Sequence, residues 1–201
     1  MIRVLLAEDE HLIREAMGAL LALEPDLDVV AQASSGPEAV AAARTHQPNV
    51  AVLDLQIPGY DAITAAKEIL RDVTECTVLI VTSHGIPGHL KRALEAGVAG
   101  FVPKTTSAAK LGDAIRAVHA GERYIDASLA ADAIATGDSP LTARETDVLS
   151  YAGDGAPVTE IADRASLAPG TVRNYLSSAL TKLGVGNRHE AVHLARARGW
   201  I

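Results

Sequence analysis

The chain has a single cysteine, Cys76, so no disulfide can form within it, and with no second thiol it offers no thiolate metal site. Cys76 reads as a small buried hydrophobe. Aromatic residues are only 3% of the chain, with one phenylalanine, Phe101. No apolar run approaches the roughly 20 residues that cross a bilayer. The opening MIRVLLAEDE turns acidic before a signal-peptide core forms. No GxGxxG follows any strand-like run, which argues against a dinucleotide-binding module. There is no internal repeat and no long low-complexity tract. These absences predict a cytoplasmic globular protein without membrane insertion, and its 201 residues, 48% apolar, suit one large domain or two small ones.

The net charge of −7 disfavours nucleic acid as a partner when it is taken as one number. Split along the chain, it says something else. Residues 1–127 carry 17 acidic and 11 basic side chains, whereas Arg164 to Ile201 carries 6 basic and 1 acidic. A balance of +5 in that last stretch makes it a candidate polyanion surface. Charge alone leaves an ordinary solvated helix face equally open, so the motifs must decide.

Apolar, β-branched runs recur at 2–7, 28–33, 50–54, 77–82 and 99–102, with segments of helical spacing at 11–23, 37–46, 62–71, 87–96 and 107–119 between and after them. Gly97 and Gly121 stand where helices would end in left-handed caps. This alternation predicts an α/β fold, a five-stranded doubly wound parallel sheet covered on both faces. After Tyr124 the strand pattern stops, and an Ala-rich stretch ends in Gly-Asp-Ser-Pro, read as a partly helical linker over 122–139. The remainder, 140–201, has only helical periodicity and predicts an all-α domain of four helices. Thr142 and Glu145 have capping-box spacing, and Asn187 suits the cap of the last helix.

In an open parallel sheet the reactive residues lie at the carboxyl ends of the strands. Here these are Glu8 and Asp9 after the first run, Asp54 ending the third, Thr82 ending the fourth and Lys104 after the fifth. Any one of them has a bland explanation, because polar residues often finish strands. Together they supply what phosphoryl transfer requires: a carboxylate nucleophile in Asp54, acids to help hold Mg²⁺ in Glu8 and Asp9, a cation for the phosphoryl oxygens in Lys104 and a hydroxyl donor in Thr82.

The acid pair, DLQIPGYDA, VTS and FVPK, in that order over residues 1 to about 121, resemble the receiver domain of two-component signalling. The resemblance implies a flavodoxin-like sheet of order 2-1-3-4-5, phosphorylation of Asp54 by a partner sensor histidine kinase, and Mg²⁺ or Mn²⁺ held by Glu8, Asp9, Asp54 and the backbone carbonyl of Gln56. It also implies a switch role for Thr82 and Phe101, although Phe101 reads equally well as a core ring. By the same resemblance Gln56 and His84 stand at positions expected to tune phosphoryl lifetime. Ile57, Ala62 and Thr105 depart from the usual pattern. At Thr105 a proline commonly follows the lysine through a cis bond, so the geometry of that loop is open.

EIADRASLAPGTVRNYLSSALTKLG holds two short helices broken around 165–169, with Ile161, Ala162, Leu167, Val172, Leu176 and Leu180 able to share a small core. Pro169 suits a first helical position, while Ala168 is a poor cap. By itself this is more simply a packed helical hairpin. The longer string LTARETDVL…VTEIAD…LAPGTVRNYLSSALTKLGVGNRHEAV is similar to the LuxR/NarL helix-turn-helix across 140–201. That resemblance implies a recognition helix bearing Val172, Arg173, Asn174 and Ser177, with phosphate contacts from Thr171, Lys182 and Arg188, promoter DNA as partner and a homodimer on activation. SHGIPGHLKRAL, VRNYLSSAL and the Gly-Trp end most resemble the DesR-type regulators, which are paired with kinases that sense membrane fluidity.

Two rival functions remain at this point. An aspartate-nucleophile phosphatase would place a second Asp two residues after the nucleophile, where this chain has Gln56. A phosphorylation-independent DNA-binding regulator would keep the first domain as a scaffold, with no need for an intact acid set.

Overall fold

The computed structural model describes every residue except Tyr60, residues 84–86 and Asp138. Five β-α units open the chain: β1 (Ile2–Ala7), α1 (His11–Leu21), β2 (Leu27–Ala33), α2 (Gly36–His46), β3 (Val50–Asp54), α3 (Ala62–Asp72), β4 (Thr77–Thr82), α4 (Pro87–Glu95), β5 (Gly100–Pro103) and α5 (Ala108–His119). Next come β6 (Tyr124–Ile125) and α6 (Ala127–Thr136). The helices α7 (Ala143–Tyr151), α8 (Val158–Ala165), α9 (Pro169–Leu183) and α10 (Arg188–Ala197) complete the chain, with one 3-10 turn at Ala152–Asp154. Two compact units result, one formed mainly by Met1–Gly85 and Leu90–Asp132 and the other mainly by Ala133–Ile201. Among the described residues, no helix is long and apolar enough to cross a membrane.

All strand pairs are parallel, in the order β2-β1-β3-β4-β5-β6. Side chains alternate across the sheet, so Val4, Leu6, Val50, Val52, Leu79 and Val81 share one buried face with Leu21 of α1 and Leu111 and Ile115 of α5. Their alternates Leu5, Ala51, Leu53, Ile80 and Phe101 are also buried, which is why these strands read as continuous apolar runs. Cys76 is buried as expected, and burial pushes its thiol pKa up to about 12.

The sheet has six strands and not five. Tyr124 N–H donates to Ala99 O and Asp126 N–H to Phe101 O, both at 3.0 Å, adding a two-residue strand to the open edge of β5. Two residues are too few to show a period, so this strand is invisible to pattern reading. It forms because α5 is followed by Gly121 (φ 86°), whose left-handed backbone turns the chain back toward an edge of unpaired carbonyls.

Local capping follows the sequence closely. Ser35, Asp61 and Ser107 accept first-turn backbone N–H groups of α2, α3 and α5, and Asn187 does so for α10. Ala168 gives α9 no side-chain cap. The Thr142–Glu145 box is complete, with both reciprocal bonds formed.

The second unit is a four-helix domain whose core joins Val148 and Leu149 of α7, Ile161 of α8, Val172 and Ala179 of α9 and Ala191 of α10. Ser166 closes α8 in the left-handed conformation (φ 54°), which lets α9 depart in a new direction. Glu145 is the one charged side chain buried in this unit among the described residues, at 4% exposure. Burial pushes its carboxyl up, but hydrogen bonds from Lys182, Ser178 and Thr142 outweigh that and hold its pKa at about 2, against the usual 4.5. A carboxyl lowered by folding stabilises the native state above its unfolded pKa and loses that contribution as pH falls through the folded value. Acid titration of thermal stability should therefore show about 3 kcal/mol lost between roughly pH 4.5 and pH 2. Glu145→Gln should remove this portion of the slope.

Candidate functional site

The strand order reverses between β1 and β3, so the loops leaving these neighbours run to opposite sides and open a crevice at the carboxyl edge of the sheet. Glu8 and Asp9 follow β1 and Asp54 ends β3, and their carboxylate oxygens lie within 4.8 Å of one another. Lys104, just past β5, reaches Glu8 Oε2 at 2.7 Å and Asp54 Oδ2 at 3.0 Å. Burial works against the Lys104 charge, yet its hydrogen bonds to Glu8 and Asp54 prevail and raise its pKa above 10.5. Burial raises the Glu8 carboxyl above 4.5, with the Lys104 hydrogen bond opposing.

Asp54 Oδ1 is buried and has no hydrogen-bond partner. A carboxylate oxygen out of water without a donor lacks compensation. Three acid groups offering only oxygen ligands within 4.8 Å of one another suit a hard divalent cation, and Glu8, Asp9 and Asp54 are the residues that could hold it. Gln56 lies in the turn two residues beyond Asp54 with its side chain exposed.

Thr82, at the end of β4, is 1% exposed, and its carbonyl accepts the Lys104 backbone N–H at 2.7 Å. Sheet register thus brings Thr82 and Lys104 to the same corner as the acids. The Lys104–Thr105 bond is trans. A turn closed by Thr106 N–H on Pro103 O (2.9 Å), followed by the Ser107 cap, shapes the loop that lacks the usual proline. Phe101 is buried on β5, between Ile80 and Ile125 in register. His84 lies outside the described residues.

Pattern reading did not find Arg14, whose Nη1 donates to the Glu8 carbonyl at 2.6 Å and the Asp9 carbonyl at 3.4 Å and so holds the acid-bearing loop. It also missed Asp61, which caps α3 while accepting from Arg92 Nη2 of α4 at 2.8 Å. Both interactions are long-range or loop-bound, with no spacing that would announce them.

In the second unit α9 exposes Arg173, Asn174 and Ser177 on one face, with Thr171 half-buried beside them. Residues of these types can donate to and accept from base edges and phosphates. The expectation for Val172 is corrected, and Lys182 and Arg188 have partners inside the domain. Val172 is fully buried in the domain core, inward with Leu176 and Ala179, so it supports α9 and does not present itself to DNA. Lys182 Nζ is bound to Glu145 Oε2 at 2.7 Å. Arg188 donates to the carbonyls of Ala156 at 3.0 Å and Gly155 at 3.2 Å, bracing the chain between α7 and α8.

Comparison with known proteins agrees with this architecture. Residues 4–116 match the response regulator receiver domain, and residues 139–195 match the bacterial regulatory proteins of the luxR family. The transcriptional regulatory protein DesR of Bacillus subtilis (strain 168) is 40% identical over 201 residues, spanning 100% of each chain. The crystal structure of the response regulator ChrA, from a heme-sensing two-component system, superposes with a TM-score of 0.59 at 30% identity, over 100% of this chain and 98% of that one. The response regulator RcsB in complex with DNA shares the fold, with a TM-score of 0.67 at 24% identity over 96% of this chain and 98% of that one. The chain therefore belongs to the NarL/LuxR family of two-component response regulators, transcription factors that join a receiver domain to a LuxR-type helix-turn-helix.

Proposed function

We propose that a partner sensor histidine kinase phosphorylates Asp54, and that the phosphorylated protein dimerises and binds promoter DNA in the cytoplasm. The observation that carries this reading is the convergence of Glu8, Asp9 and Asp54 with Lys104 at one corner of the sheet, with Asp54 Oδ1 left without a partner. An Asp54 carboxylate oxygen forms the new P–O bond as the phosphohistidine P–N bond breaks and the imidazole keeps the electron pair. Glu8, Asp9, Asp54 and the Gln56 carbonyl would hold Mg²⁺ or Mn²⁺, which when bound would supply positive charge against the build-up on the phosphoryl oxygens. Lys104 Nζ, already 3.0 Å from Asp54 Oδ2, pairs with a phosphoryl oxygen, and the Thr82 hydroxyl donates to another.

This closure draws on Thr82 and Phe101 as the switch, and Gln56 and His84 set how long the acyl phosphate lasts. Dimerisation places two α9 helices about one DNA turn, roughly 34 Å, apart, so Arg173, Asn174, Ser177 and Thr171 act twice on one duplex. The likeness to DesR-type regulators extends the proposal to control of genes that respond to membrane-lipid fluidity.

The test is to incubate the full chain with Mg²⁺ and acetyl phosphate, then follow its size in solution and its affinity for duplex DNA enriched from a randomised library. Doubled mass and a gain of about tenfold or more in affinity are expected. Equal binding with and without the phosphodonor would favour a scaffold role for the receiver. Sustained phosphate release from p-nitrophenyl phosphate would favour an aspartate phosphatase.

A further inference from the structure

The capping box explains only part of what surrounds Glu145. Its Oε2 accepts the Thr142 backbone N–H at 2.7 Å, as a cap requires. The same oxygen also accepts from Lys182 Nζ at 2.7 Å, and Oε1 accepts from Ser178 Oγ at 2.6 Å. Ser178 and Lys182 are four residues apart, one above the other on a flank of α9.

With about 100° between successive residues, α9 has three faces. Val172, Leu176 and Ala179 form the buried stripe, and Arg173, Asn174 and Ser177 are exposed. Ser178 and Lys182 lie roughly 110° from either. Apolar packing is non-directional, so the buried stripe keeps the helix from leaving but resists rolling only weakly. Charge-assisted hydrogen bonds are short and directional. Two of them from one flank to a single buried carboxylate determine the roll angle. A roll of about 20° would carry tips 5–6 Å from the axis by about 2 Å, enough to break hydrogen bonds to base edges.

We propose that Glu145, Ser178 and Lys182 are positioning residues that set the roll of the recognition helix, so that Lys182 serves sequence recognition from behind and not by touching a phosphate. The proposal rests on α9 being the DNA-reading helix. It separates two quantities that a phosphate-binding lysine would change together. Loss of a positioning residue lowers affinity for the preferred sequence and spares the electrostatic attraction common to all DNA, whereas loss of a phosphate contact weakens both and flattens the salt dependence by about one unit of slope.

The test compares the full chain with Lys182→Met, Lys182→Arg, Ser178→Ala and Glu145→Gln under Mg²⁺ and acetyl phosphate. Each is titrated at several salt concentrations with the duplex that the parent enriches from a randomised library, and with a shuffled duplex of the same composition. Lys182→Met is expected to lose roughly ten- to a hundredfold on the enriched duplex. On the shuffled duplex it should keep the parent's affinity and salt slope. Lys182→Arg, still able to donate to Glu145, should recover most of the loss, and Ser178→Ala and Glu145→Gln should show the same selective deficit in milder form.

An equal loss on both duplexes with a flatter slope overturns the proposal in favour of a phosphate contact, and parental binding by all four variants overturns it outright. Far-ultraviolet circular dichroism identifies any variant that does not fold, and Ser178→Ala, which removes one hydroxyl, then decides. If the parent enriches no sequence at all, it is the DNA-binding reading that fails.

Discussion

Asp54→Asn should take up no phosphate from acetyl phosphate, and under phosphodonor its size in solution and its affinity for the enriched duplex should equal those of the untreated parent. A neutral amide oxygen is a poor nucleophile, and in the cluster Asp54 alone combines the Lys104 contact with a buried oxygen that has no hydrogen-bond partner. Incorporation of labelled phosphate measures this directly. Uptake equal to the parent's would mean that another residue is the acceptor. The same substitution should raise stability in chelator by about 1 kcal/mol, because it removes one of the negative charges packed within 4.8 Å. Chemical denaturation with and without Mg²⁺ would show the gain in chelator and a smaller response to the ion.

Lys104→Met should act in the opposite direction. Glu8 is 1% exposed and Asp54 4%, and Lys104 is bonded to both. Removing the ammonium leaves two buried carboxylates facing one another, and breaking a buried ion pair by deleting one partner costs about 3–5 kcal/mol. That loss should be clear in urea denaturation with chelator present. Mg²⁺ should then stabilise the variant more than the parent, since in the parent the ion would compete with an ammonium already bound to two of the carboxylates proposed to hold it. At a hundred times its dissociation constant a ligand contributes about 2.7 kcal/mol, so much of the deficit should be recovered. A variant as stable as the parent in chelator would show that the Lys104 pairing contributes little to the fold, and equal responses to Mg²⁺ would show that Lys104 and the ion do not compete.

The receiver was largely legible because its physics is local and repetitive. Five apolar runs alternating with helical spacing admit few arrangements other than a parallel sheet, and once that is accepted the residues ending the runs must gather at one edge. Glu8, Asp9, Asp54, Thr82 and Lys104 were each assigned from their place at a strand's end, and register brings them to one corner. The helix-turn-helix was legible as helices and caps, down to the Thr142–Glu145 box and Asn187. What the sequence left open was the direction of individual side chains there. A positive charge on or near a recognition helix looks the same in sequence whether it faces a phosphate, as expected of Lys182 and Arg188, or a partner within the domain, as both are found to do.

By itself the sequence determined the two-part architecture, the succession of the five β-α units and the later helices, and the candidate reacting groups, because hydrophobic period, caps and strand ends are set by near neighbours in the chain. Tertiary structure alone decided the sixth strand, the unpartnered oxygen of Asp54, the Arg14 brace and the Glu145 clasp on α9. Each of these depends on which distant groups share a volume from which water is excluded. A hydrogen bond spanning 33 residues, such as Ser178 to Glu145, leaves no periodic trace, since it is selected by packing geometry and not by spacing along the chain.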